Sequence, residues 1–472
     1  MVQVAVEKIH DIFNQQTKHQ WEMRQTSASE RVEMLQRLKT NILARLEDLI
    51  AASIKDYKTP RMTAEHQVYA AIEAIDYACE HVAQWMEPER VEQPKDGKGA
   101  YIVYESRGTV CIFGTWNSPM SVTIHPLTEA LAAGNCVVIK PSEFNPHYNA
   151  VLQQIIEATF DERQVAFVQG EAETSEQLLK LPFSHFFFTG SPRVGKIVMR
   201  EAANHLSAVT LELGGKSPSI IDKGYDVAKA AQALAFGKVL MGGQFCICPD
   251  YLFVHEQDVE AFAAAYRATT QGLLYENGEI RTTERTQIVN DAHFNRLKGL
   301  YDDAMSKGAV VLSGGTFDDV NRLIEPTLLG NVTEDMHIAH EEIFGPLTFL
   351  KAYTSLDEVL HYIQQRPKPL AFYVFSDDEA FQERCLRYTS SGGVTINGIV
   401  QHNTYLELPF GGVNNSGLGS FHGIHGFKTF SHARSVFEAF FYVMKNGSTI
   451  PPYKKAPAMT KAGWNFRIIK AQ

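Results

Sequence analysis

Two side chains lie in segments where a nucleophile and a base could be presented to a substrate. Cys246 stands in GGQFCICPD, among small residues and turn formers, where a thiolate could be exposed. Glu212 stands in LELGG, where a carboxylate at a strand end could be held over a turn as a base. Each signal is weak alone, because most cysteines are small core residues and a surface glutamate before two glycines is common. They become persuasive only in combination.

A third segment has the form of an anion site. The apolar run HFFFTG ends at Gly190 and is followed by Ser191, Pro192, Gly195 and the helical KIVMREAANHL. Backbone N–H groups and the positive end of the helix dipole could hold a pyrophosphate there, and proline suits the first turn of a helix. The spacing differs from G-x-G-x-x-G, so an ordinary turn between a strand and a helix fits about equally well.

Short apolar runs must position these residues. Between Thr109 and Gly215 such runs are separated by helix-length segments; they are TVCIFG, CVVIK, VAFVQG, HFFFTG and VTLELGG. Apolar strands that alternate with helices predict a parallel sheet of βαβ units buried on both faces. From Lys216 onward the runs YLFVH, AVVLSGG, LTFLKAY, LAFYVFS and GGVTING predict a second α/β region.

The N-terminal part is predicted to be helical. Apolar residues recur at three- and four-residue steps from about Thr26 to Tyr57, and Ser27 with Glu30 forms a capping box at the start. A second helix is predicted from about Ala64 to Met86. The following segment from Tyr101 to Val110 alternates enough to be a strand outside the main core, which makes it a candidate for subunit pairing.

Composition excludes several classes of protein. The 472 residues suffice for two or three domains with a large core. With 44 Lys and Arg against 54 Asp and Glu, the net charge of -10 offers no general attraction to nucleic acid or an anionic membrane. The six cysteines are typical of thiols in a reducing compartment. No apolar run has signal-peptide or membrane-span length, so we expect a soluble, cytoplasmic protein.

Metal binding is not expected. His402, His422 and His425 have no matching Cys or Glu pattern, so surface or packing roles are favoured for them.

Six motifs, in order and at similar spacing, resemble those of the aldehyde dehydrogenase superfamily over nearly the whole chain. The later PFGGVNNSGLGSFHG and TFSH segments resemble its class 3 branch most. The six motifs are TWNSP (115–119), IKPSE (139–143), FTGSPRVGK (188–196), LELGGKSP (211–218), GGQFCICPD (242–250) and EEIFGPL (341–347).

The resemblance implies an α/β fold with a Rossmann-like parallel-sheet cofactor domain, an α/β catalytic domain and a small β oligomerisation element. The implied cofactor domain is 1–98 with 111–214, and the catalytic domain is 215–425. The oligomerisation element is 99–110 with 426–445, and a C-terminal tail covers 446–472. A homodimer that pairs through this element is expected.

The resemblance also implies a mechanism. Cys246 matches the nucleophile, and Asn117 with the backbone N–H of Cys246 would stabilise the thiohemiacetal oxyanion. Loss of hydride to the nicotinamide leaves a thioester, and Glu212 would activate the water that hydrolyses it. A base for water argues against a rival reaction in which coenzyme A takes the acyl group. Retention of all three residues argues against a catalytically idle homologue used for binding or structure.

The implied cofactor is NAD, with NADP left open. Lys140 and Glu143 resemble the pair that meets the adenine ribose, and Glu143 would repel a 2′-phosphate. Class 3 members nevertheless often accept NADP. The further cofactor contacts that the resemblance implies are Trp116, Gly190, Ser191, Gly195, Leu213, Glu342 and Phe344.

Three positions depart from the class 3 pattern. Ser118 replaces a common Tyr, and Phe245 replaces a common Thr; both are expected near the aldehyde tunnel. A reshaped apolar pocket favours an aromatic or medium- to long-chain aliphatic aldehyde, and coniferyl-aldehyde-type enzymes are a candidate relative. Cys248 could capture an oxidised Cys246 reversibly, although a small buried side chain is the favoured interpretation.

Overall fold

The computed structural model describes residues 5–91, 97–277, 279–281 and 284–439. The expected C-terminal tail, 446–472, and the 440–445 part of the expected oligomerisation element lie outside these residues.

Helices occupy the N-terminal region and alternate with strands afterwards. In chain order they are α1 (Val6–Arg24), α2 (Ala28–Ala44), α3 (Leu46–Tyr57), α4 (Arg61–Trp85), α5 (Ser121–Ala132), α6 (Pro146–Thr159), α7 (Ala172–Leu179), α8 (Pro192–Ala203), α9 (Val227–Val239), α10 (Val259–Leu274), α11 (Asp291–Ser306), α12 (Leu356–Gln364), α13 (Glu379–Tyr388) and α14 (Gly423–Thr429).

The strands are short. They are β1 (Glu89–Arg90), β2 (Gly97–Ser106), β3 (Thr109–Phe113), β4 (Cys136–Lys140), β5 (Val165–Phe167), β6 (His185–Gly190), β7 (Ala208–Leu213), β8 (Ser217–Ile221), β9 (Pro249–His255), β10 (Tyr275–Glu276), β11 (Glu279–Ile280), β12 (Val310–Ser313), β13 (Phe317–Asp318), β14 (Leu323–Ile324), β15 (Thr327–Gly330), β16 (Leu347–Tyr353), β17 (Ala371–Phe375), β18 (Gly393–Ile396), β19 (Gly417–Leu418) and β20 (Ser431–Ala439).

The predicted N-terminal helices are present with one difference. The helix expected from Thr26 to Tyr57 is two helices, α2 and α3, which meet at Arg45, whose backbone leaves the helical region. The capping box of Ser27 and Glu30 is confirmed at the start of α2. Helix α1 lies before them and buries Ile9, Ile12 and Phe13.

The first large sheet contains the five apolar runs predicted between Thr109 and Gly215. Its strand order is β19-β7-β6-β3-β4-β5, and all neighbours are parallel except β19, which pairs antiparallel with β7. Every residue of β3 and β4 is buried, as expected for a sheet covered on both faces. The carboxyl ends of its parallel strands therefore lie along one edge.

The second large sheet has the order β12-β15-β16-β9-β8-β17-β18. Its strands are parallel except for β12, which pairs antiparallel with β15. The prediction of an α/β fold with a parallel-sheet domain and a second α/β region is confirmed.

The strand expected from Tyr101 to Val110 is divided. Strand β2 ends at Ser106, and Gly108, with φ of 119°, turns the chain into β3. Thr109 and Val110 therefore belong to the first large sheet and not to a peripheral ribbon. A small sheet of order β1-β2-β20 contains residues 99–106 and 431–439 of the predicted pairing segments, whereas residues 426–429 belong to helix α14.

Of the described residues, 5–87 and 104–432 form one compact unit, and 88–91, 97–103 and 433–439 form another. The finer division at residues 214 and 215 stays a prediction. In the part of the chain that the structure describes, no helix is both long and apolar enough to cross a membrane.

Candidate active site

Cys246 lies in a tight loop between α9 and β9. Met241, Gly242 and Gly243 all have positive φ, at 51°, 61° and 68°. A Cβ at Gly243 would stand 2.3 Å from the carbonyl oxygen of Gly345, so the loop backbone packs too closely for a side chain. The glycines thus allow the chain to turn sharply just before Cys246.

The Gln244 side chain holds this loop in place. Its Nε2 donates to the carbonyl oxygens of Met241 (3.1 Å) and Gln287 (2.9 Å), and its Oε1 accepts the N–H of Val289 (3.1 Å). The carbonyl oxygen of Gln244 in turn accepts Nδ2 of Asn117 at 3.0 Å. Gln244 was missed from the sequence, although a polar residue between a glycine pair and the cysteine was a visible signal.

Asn117 approaches from the turn between β3 and α5, and its side chain is buried. One of its two amide hydrogens serves the bond to Gln244, which leaves the second for another acceptor. The structure therefore ties Asn117 to the backbone two residues before Cys246.

The Cys246 thiol is held neutral by its surroundings. Its pKa is raised to about 12, chiefly by burial and then by the carboxyl groups of Glu342 and Glu212, against the smaller effect of the backbone N–H groups of Cys246 and Ile247. The side chain keeps part of its surface exposed. Glu212 and Glu342 thus each lie close enough to act electrostatically on the Cys246 thiol.

Glu212 is the penultimate residue of β7, and its side chain is buried. Neither of its carboxyl oxygens is hydrogen-bonded to another described residue. Its pKa lies well above the ordinary range, because burial disfavours the charged form and the carboxyl group of Glu129 adds repulsion. Strand pairing places Glu212 between Thr189 of β6 and Gly417 of β19. A carboxyl group in this state is a strong base once it is ionised.

A buried ion pair orders the loop that carries Glu342. Lys216 Nζ binds Asp250 and also donates to the carbonyl oxygens of Ile338 (2.9 Å) and Glu341 (2.8 Å). The other oxygen of Asp250 accepts the N–H of Ile343 at 2.9 Å. Both sides of residue 342 are therefore fixed to β9 and to the residue before β8.

Glu342 lies against the chain that follows β7. Its carboxyl group accepts the N–H of Gly215, and a Cβ at Gly214 would be 2.2 Å from Oε1. Burial raises the pKa of Glu342 to about 7, although that N–H bond opposes the shift. Two residues later, the ring of Phe344 meets that of Trp116 edge to face at 5.8 Å.

The other expected cofactor residues lie at the carboxyl edge of the first sheet. Lys140 ends β4, Gly190 ends β6 and Leu213 ends β7, while Trp116 follows β3. The carboxyl edge of an open parallel sheet is where nucleotides bind, so these residues fit a dinucleotide. Lys140 Nζ stands 3.6 Å from Glu143, which is too far for a hydrogen bond and leaves the carboxylate able to accept another donor.

Ser191 and Gly195 form the start of α8. The Ser191 hydroxyl accepts the N–H of Val194 at 3.4 Å, so it caps the helix. A Cβ at Gly195 would lie 2.8 Å from Cδ2 of Leu213, so the helix packs directly on that strand end. In that first turn Pro192 has no N–H and the N–H of Gly195 donates to the carbonyl oxygen of Ser191, so the N–H of Arg193 and the positive end of the helix dipole are what the turn could offer a pyrophosphate.

The residues expected near the aldehyde differ in burial. Ser118 is half-buried, whereas Phe245 is buried in the largest apolar cluster. The thiol of Cys248 is buried as well and contacts the carbonyl oxygens of Gly237 and Pro249, both at 3.6 Å.

Two of the three histidines, His402 and His422, pack against an aromatic ring. The ring of Phe410 is stacked between His402 and His422, with centroid distances of 6.3 Å and 5.4 Å. Over the described ranges, no group of three His, Cys, Asp or Glu side chains is arranged to hold a metal ion.

The family model and the relatives that match this chain are all of aldehyde dehydrogenases. Residues 2–436 match the model of the aldehyde dehydrogenase family. A coniferyl aldehyde dehydrogenase of Pseudomonas sp. is 35% identical over 440 residues, which are 92% of this chain and 91% of that protein. A dimeric, NADP-preferring aldehyde dehydrogenase of Rattus norvegicus is 38% identical over 408 residues, 86% of this chain and 89% of that protein.

A solved structure shows the same architecture. The substrate-bound state of Staphylococcus aureus AldH superposes with a TM-score of 0.89 at 36% identity and covers 95% of this chain and 97% of that chain.

Replacement of Glu212 by Gln should stabilise the fold increasingly as the pH rises. In the unfolded chain Glu212 ionises near pH 4.5, whereas in the folded chain its pKa is well above that value. Between the two values unfolding releases a proton, so wild-type Glu212 lowers the free energy of unfolding by up to about 1.4 kcal/mol per pH unit. Glutamine has no proton to release, so the free energy of unfolding of Glu212→Gln should exceed that of the wild type by an amount that grows as the pH rises.

The measurement is the thermal unfolding midpoint of both proteins from about pH 5 to about pH 8. Glu173→Gln, at an exposed position on α7, is the matched control and should follow the wild type. A constant difference between Glu212→Gln and wild type over this range would contradict a raised pKa.

Proposed function

The chain belongs to the aldehyde dehydrogenase family and is an oxidoreductase, and on that basis we propose that it oxidises an apolar aldehyde to the carboxylic acid through a thioester on Cys246. The observation that carries this proposal is the convergence of three groups. The Asn117 amide is anchored two residues before Cys246, and the Cys246 thiol lies within the electrostatic reach of Glu212.

The first step is attack of the Cys246 sulfur on the aldehyde carbon. Because burial and two carboxyl groups raise the pKa of the thiol, the proton must leave to a base as the sulfur–carbon bond forms. Glu212 and Glu342 are the carboxyl groups placed to influence that proton. The free amide hydrogen of Asn117 and the backbone N–H of Cys246 would stabilise the oxyanion.

The second step converts the thiohemiacetal on Cys246 to a thioester. When bound, a nicotinamide cofactor supplies the acceptor for the hydride that leaves the former aldehyde carbon. The carbonyl group reforms as the negative charge on oxygen collapses.

Hydrolysis of the thioester completes the reaction. Ionised Glu212 removes a proton from water, the water oxygen bonds to the acyl carbon, and the carbon–sulfur bond breaks to free the Cys246 thiolate. A carboxylate buried without hydrogen-bond donors is a stronger base than one in water, so the environment of Glu212 suits this step.

The presence of Glu212 weighs against transfer of the acyl group to coenzyme A, because that transfer does not need a base that activates water. Retention of Cys246, Glu212 and Asn117 at one place also weighs against a catalytically idle homologue.

For the cofactor we propose NAD, with NADP as a second candidate. Lys140 and Glu143 would bind the adenine-ribose hydroxyls, and the Glu143 carboxylate would repel a 2′-phosphate. The NADP preference of the rat relative keeps the second cofactor open. Trp116, Ser191, Gly195, Glu342 and Phe344 would complete the binding surface.

For the substrate we propose an aromatic aldehyde, with medium- to long-chain aliphatic aldehydes as alternatives. The relative named as a coniferyl aldehyde dehydrogenase supports an aromatic substrate. Phe245 would contribute an aromatic wall, and Ser118 would leave space where a larger side chain is common.

We also propose a homodimer in the cytoplasm. The rat relative is named as dimeric, and the small sheet β1-β2-β20 is the element expected to pair. All six cysteines are free thiols, which favours a reducing compartment.

Variants at the two catalytic positions should separate the two halves of the reaction. Glu212→Gln should retain a first-turnover burst of reduced nicotinamide and lose roughly 10²- to 10⁴-fold in steady-state rate, because Glu342 remains beside the Cys246 thiol whereas hydrolysis depends on Glu212. Cys246→Ala should lose both phases. Rapid-mixing absorbance of the reduced cofactor gives both readings.

Cys248→Ala is the matched control, since it removes a neighbouring thiol that points into the core, and both phases should persist. Full aldehyde oxidation by Cys246→Ala would refute the nucleophile. Rapid turnover of Glu212→Gln on addition of coenzyme A would favour the acylating alternative.

A panel of aldehydes measured with each cofactor tests the specificity proposals. Coniferaldehyde and benzaldehyde should give a higher kcat/KM than succinic semialdehyde, and NAD a lower KM than NADP. Glu143→Gln should reduce the ratio of the KM for NADP to the KM for NAD by roughly tenfold, because a neutral amide does not repel a 2′-phosphate. A preference for the charged semialdehyde, or an unchanged cofactor ratio in Glu143→Gln, would contradict the respective proposal.

A further inference from the structure

The two groups proposed to stabilise the oxyanion come from separate segments of the chain. Asn117 lies in the turn between β3 and α5, whereas the N–H of Cys246 belongs to the loop between α9 and β9. A hydrogen bond of 3.0 Å from Nδ2 of Asn117 to the carbonyl oxygen of Gln244 connects the two segments. The placement of one oxyanion donor relative to the other therefore depends on where the Gln244 carbonyl oxygen is held.

The backbone of Gln244 belongs to neither a helix nor a strand. It follows a short turn of 3₁₀ helix, Leu240–Gly243, and has φ of -90° and ψ of 55°. In that turn Met241 has φ of 51°, a conformation that a residue with a Cβ seldom adopts. The direction of the Gln244 carbonyl group is thus not set by a helix or a sheet, and side-chain contacts must set it.

The side chain of Gln244 supplies these contacts. It is 1 % exposed, and its amide group is fully hydrogen-bonded. The two hydrogens on Nε2 serve the carbonyl oxygens of Met241 and Gln287, and Oε1 accepts the N–H of Val289. One partner lies inside the loop, and the other two lie more than forty residues further along the chain. The side chain therefore braces the loop against the segment that precedes α11.

The segment that receives the brace is itself fixed. The N–H of Gln287 donates to the carbonyl oxygen of Tyr57, the last residue of α3, at 3.3 Å. The N–H of Ile288 donates to the carbonyl oxygen of Arg322 at 2.9 Å, and Nε of Arg322 donates back to the carbonyl oxygen of Ile288 at 3.0 Å. Gln244 thus connects the Cys246 loop to a point that two other parts of the chain hold in place.

Packing alone would not require an amide at position 244. A methionine has a similar length and fills a buried space without polar atoms that need partners. Burial of an amide costs free energy wherever one of its hydrogen bonds is not made. All three partners of the Gln244 amide are backbone groups, so its hydrogen bonds serve to orient the main chain.

We propose, resting on the function proposed for Asn117 and Cys246, that Gln244 is a positioning residue for the oxyanion site. Its three side-chain bonds hold its own carbonyl oxygen where that oxygen binds one amide hydrogen of Asn117. The second amide hydrogen is thereby fixed relative to the N–H of Cys246, two residues further along the chain. Gln244 acts through these two donors and not on the substrate itself.

Gln244→Met tests this role, because methionine fills the space and makes none of the three bonds. The measurement is the rate constant of the first-turnover burst of reduced nicotinamide, with the burst amplitude as the count of active sites. Since loss of a complete oxyanion donor costs roughly 10²- to 10³-fold, displacement of one should slow the burst by roughly 10- to 100-fold. A merely structural role would lower the thermal midpoint and the amplitude and leave the rate constant unchanged, which would overturn the proposal.

A double-mutant cycle with Asn117→Ala tests whether Gln244 acts through Asn117. In the wild-type background Asn117→Ala should slow the burst by roughly 10²- to 10³-fold. In the Gln244→Met background the further loss should be less than roughly tenfold, because the amide has already lost its placement. Equal losses in the two backgrounds would mean that the residues act independently, and the proposal would be wrong.

Gln16→Met is the matched control. Gln16 of α1 is also buried, and its Nε2 donates to the carbonyl oxygens of Val137 (2.9 Å) and Glu162 (3.1 Å), so it resembles Gln244 in burial and bonding. Its partners are the second residue of β4 and a residue that precedes β5, away from the carboxyl edge. Gln16→Met should lose thermal stability, keep the burst rate constant and be additive with Asn117→Ala. A burst slowed as much as in Gln244→Met would refute a specific role of Gln244.

If Gln244→Met does not fold, Gln244→Glu takes its place in the cycle. A glutamate can still accept the N–H of Val289, but its carboxyl group cannot donate to both Met241 and Gln287. The burst should therefore slow by a smaller factor, and the loss caused by Asn117→Ala should again be smaller than in the wild type. A wild-type rate constant, or an undiminished effect of Asn117→Ala, would overturn the proposal.

The outcomes separate this proposal from the function on which it rests. A wild-type burst in Asn117→Ala would remove Asn117 from the oxyanion site and so contradict the proposed mechanism. A slow burst in Asn117→Ala together with a wild-type rate constant in Gln244→Met would leave that mechanism in place and overturn only the role of Gln244.

Discussion

Removal of water from ionisable groups is the constraint on which this site depends. Cys246, Glu212 and Glu342 all have raised pKa values, and burial is the largest cause for each. A protein gains no stability from burying such groups without full hydrogen bonding, because the charged forms are disfavoured. The same burial makes the groups reactive: a thiolate or carboxylate formed here has lost its stabilising water and is a stronger nucleophile or base.

Such a site must be held in place by its neighbours. The side-chain amide of Gln244 connects the Cys246 loop to residues 287 and 289. The backbone carbonyl oxygen of Gln244 accepts a hydrogen bond from Asn117 and so anchors it. The Lys216–Asp250 pair fixes the chain on either side of Glu342. These contacts join both large sheets to the reacting groups, which explains why the Glu212 carboxyl group can remain without a hydrogen-bond partner among the described residues.

The sequence predicted the features that depend on local pattern. Apolar runs such as CVVIK and HFFFTG became parallel strands, and Cys246 and Glu212 stood out through their glycine-rich surroundings. Gln244 was missed because its partners are more than forty residues away in the chain. The strand predicted from Tyr101 to Val110 is divided after Ser106 because Gly108 adopts a positive φ. The alternation of apolar and polar residues does not reveal such a backbone turn.

In the proposed reaction the acyl group is bound covalently to Cys246 until Glu212 activates the water that releases it. Intact-protein mass spectrometry of Glu212→Gln, mixed with one equivalent of benzaldehyde and excess NAD and quenched in acid, tests this most directly. We expect a mass increase equal to one benzoyl group, located by peptide mapping on Cys246. Reduced cofactor formed without any such adduct, or an adduct that persists when Cys246 is replaced by Ala, would contradict it.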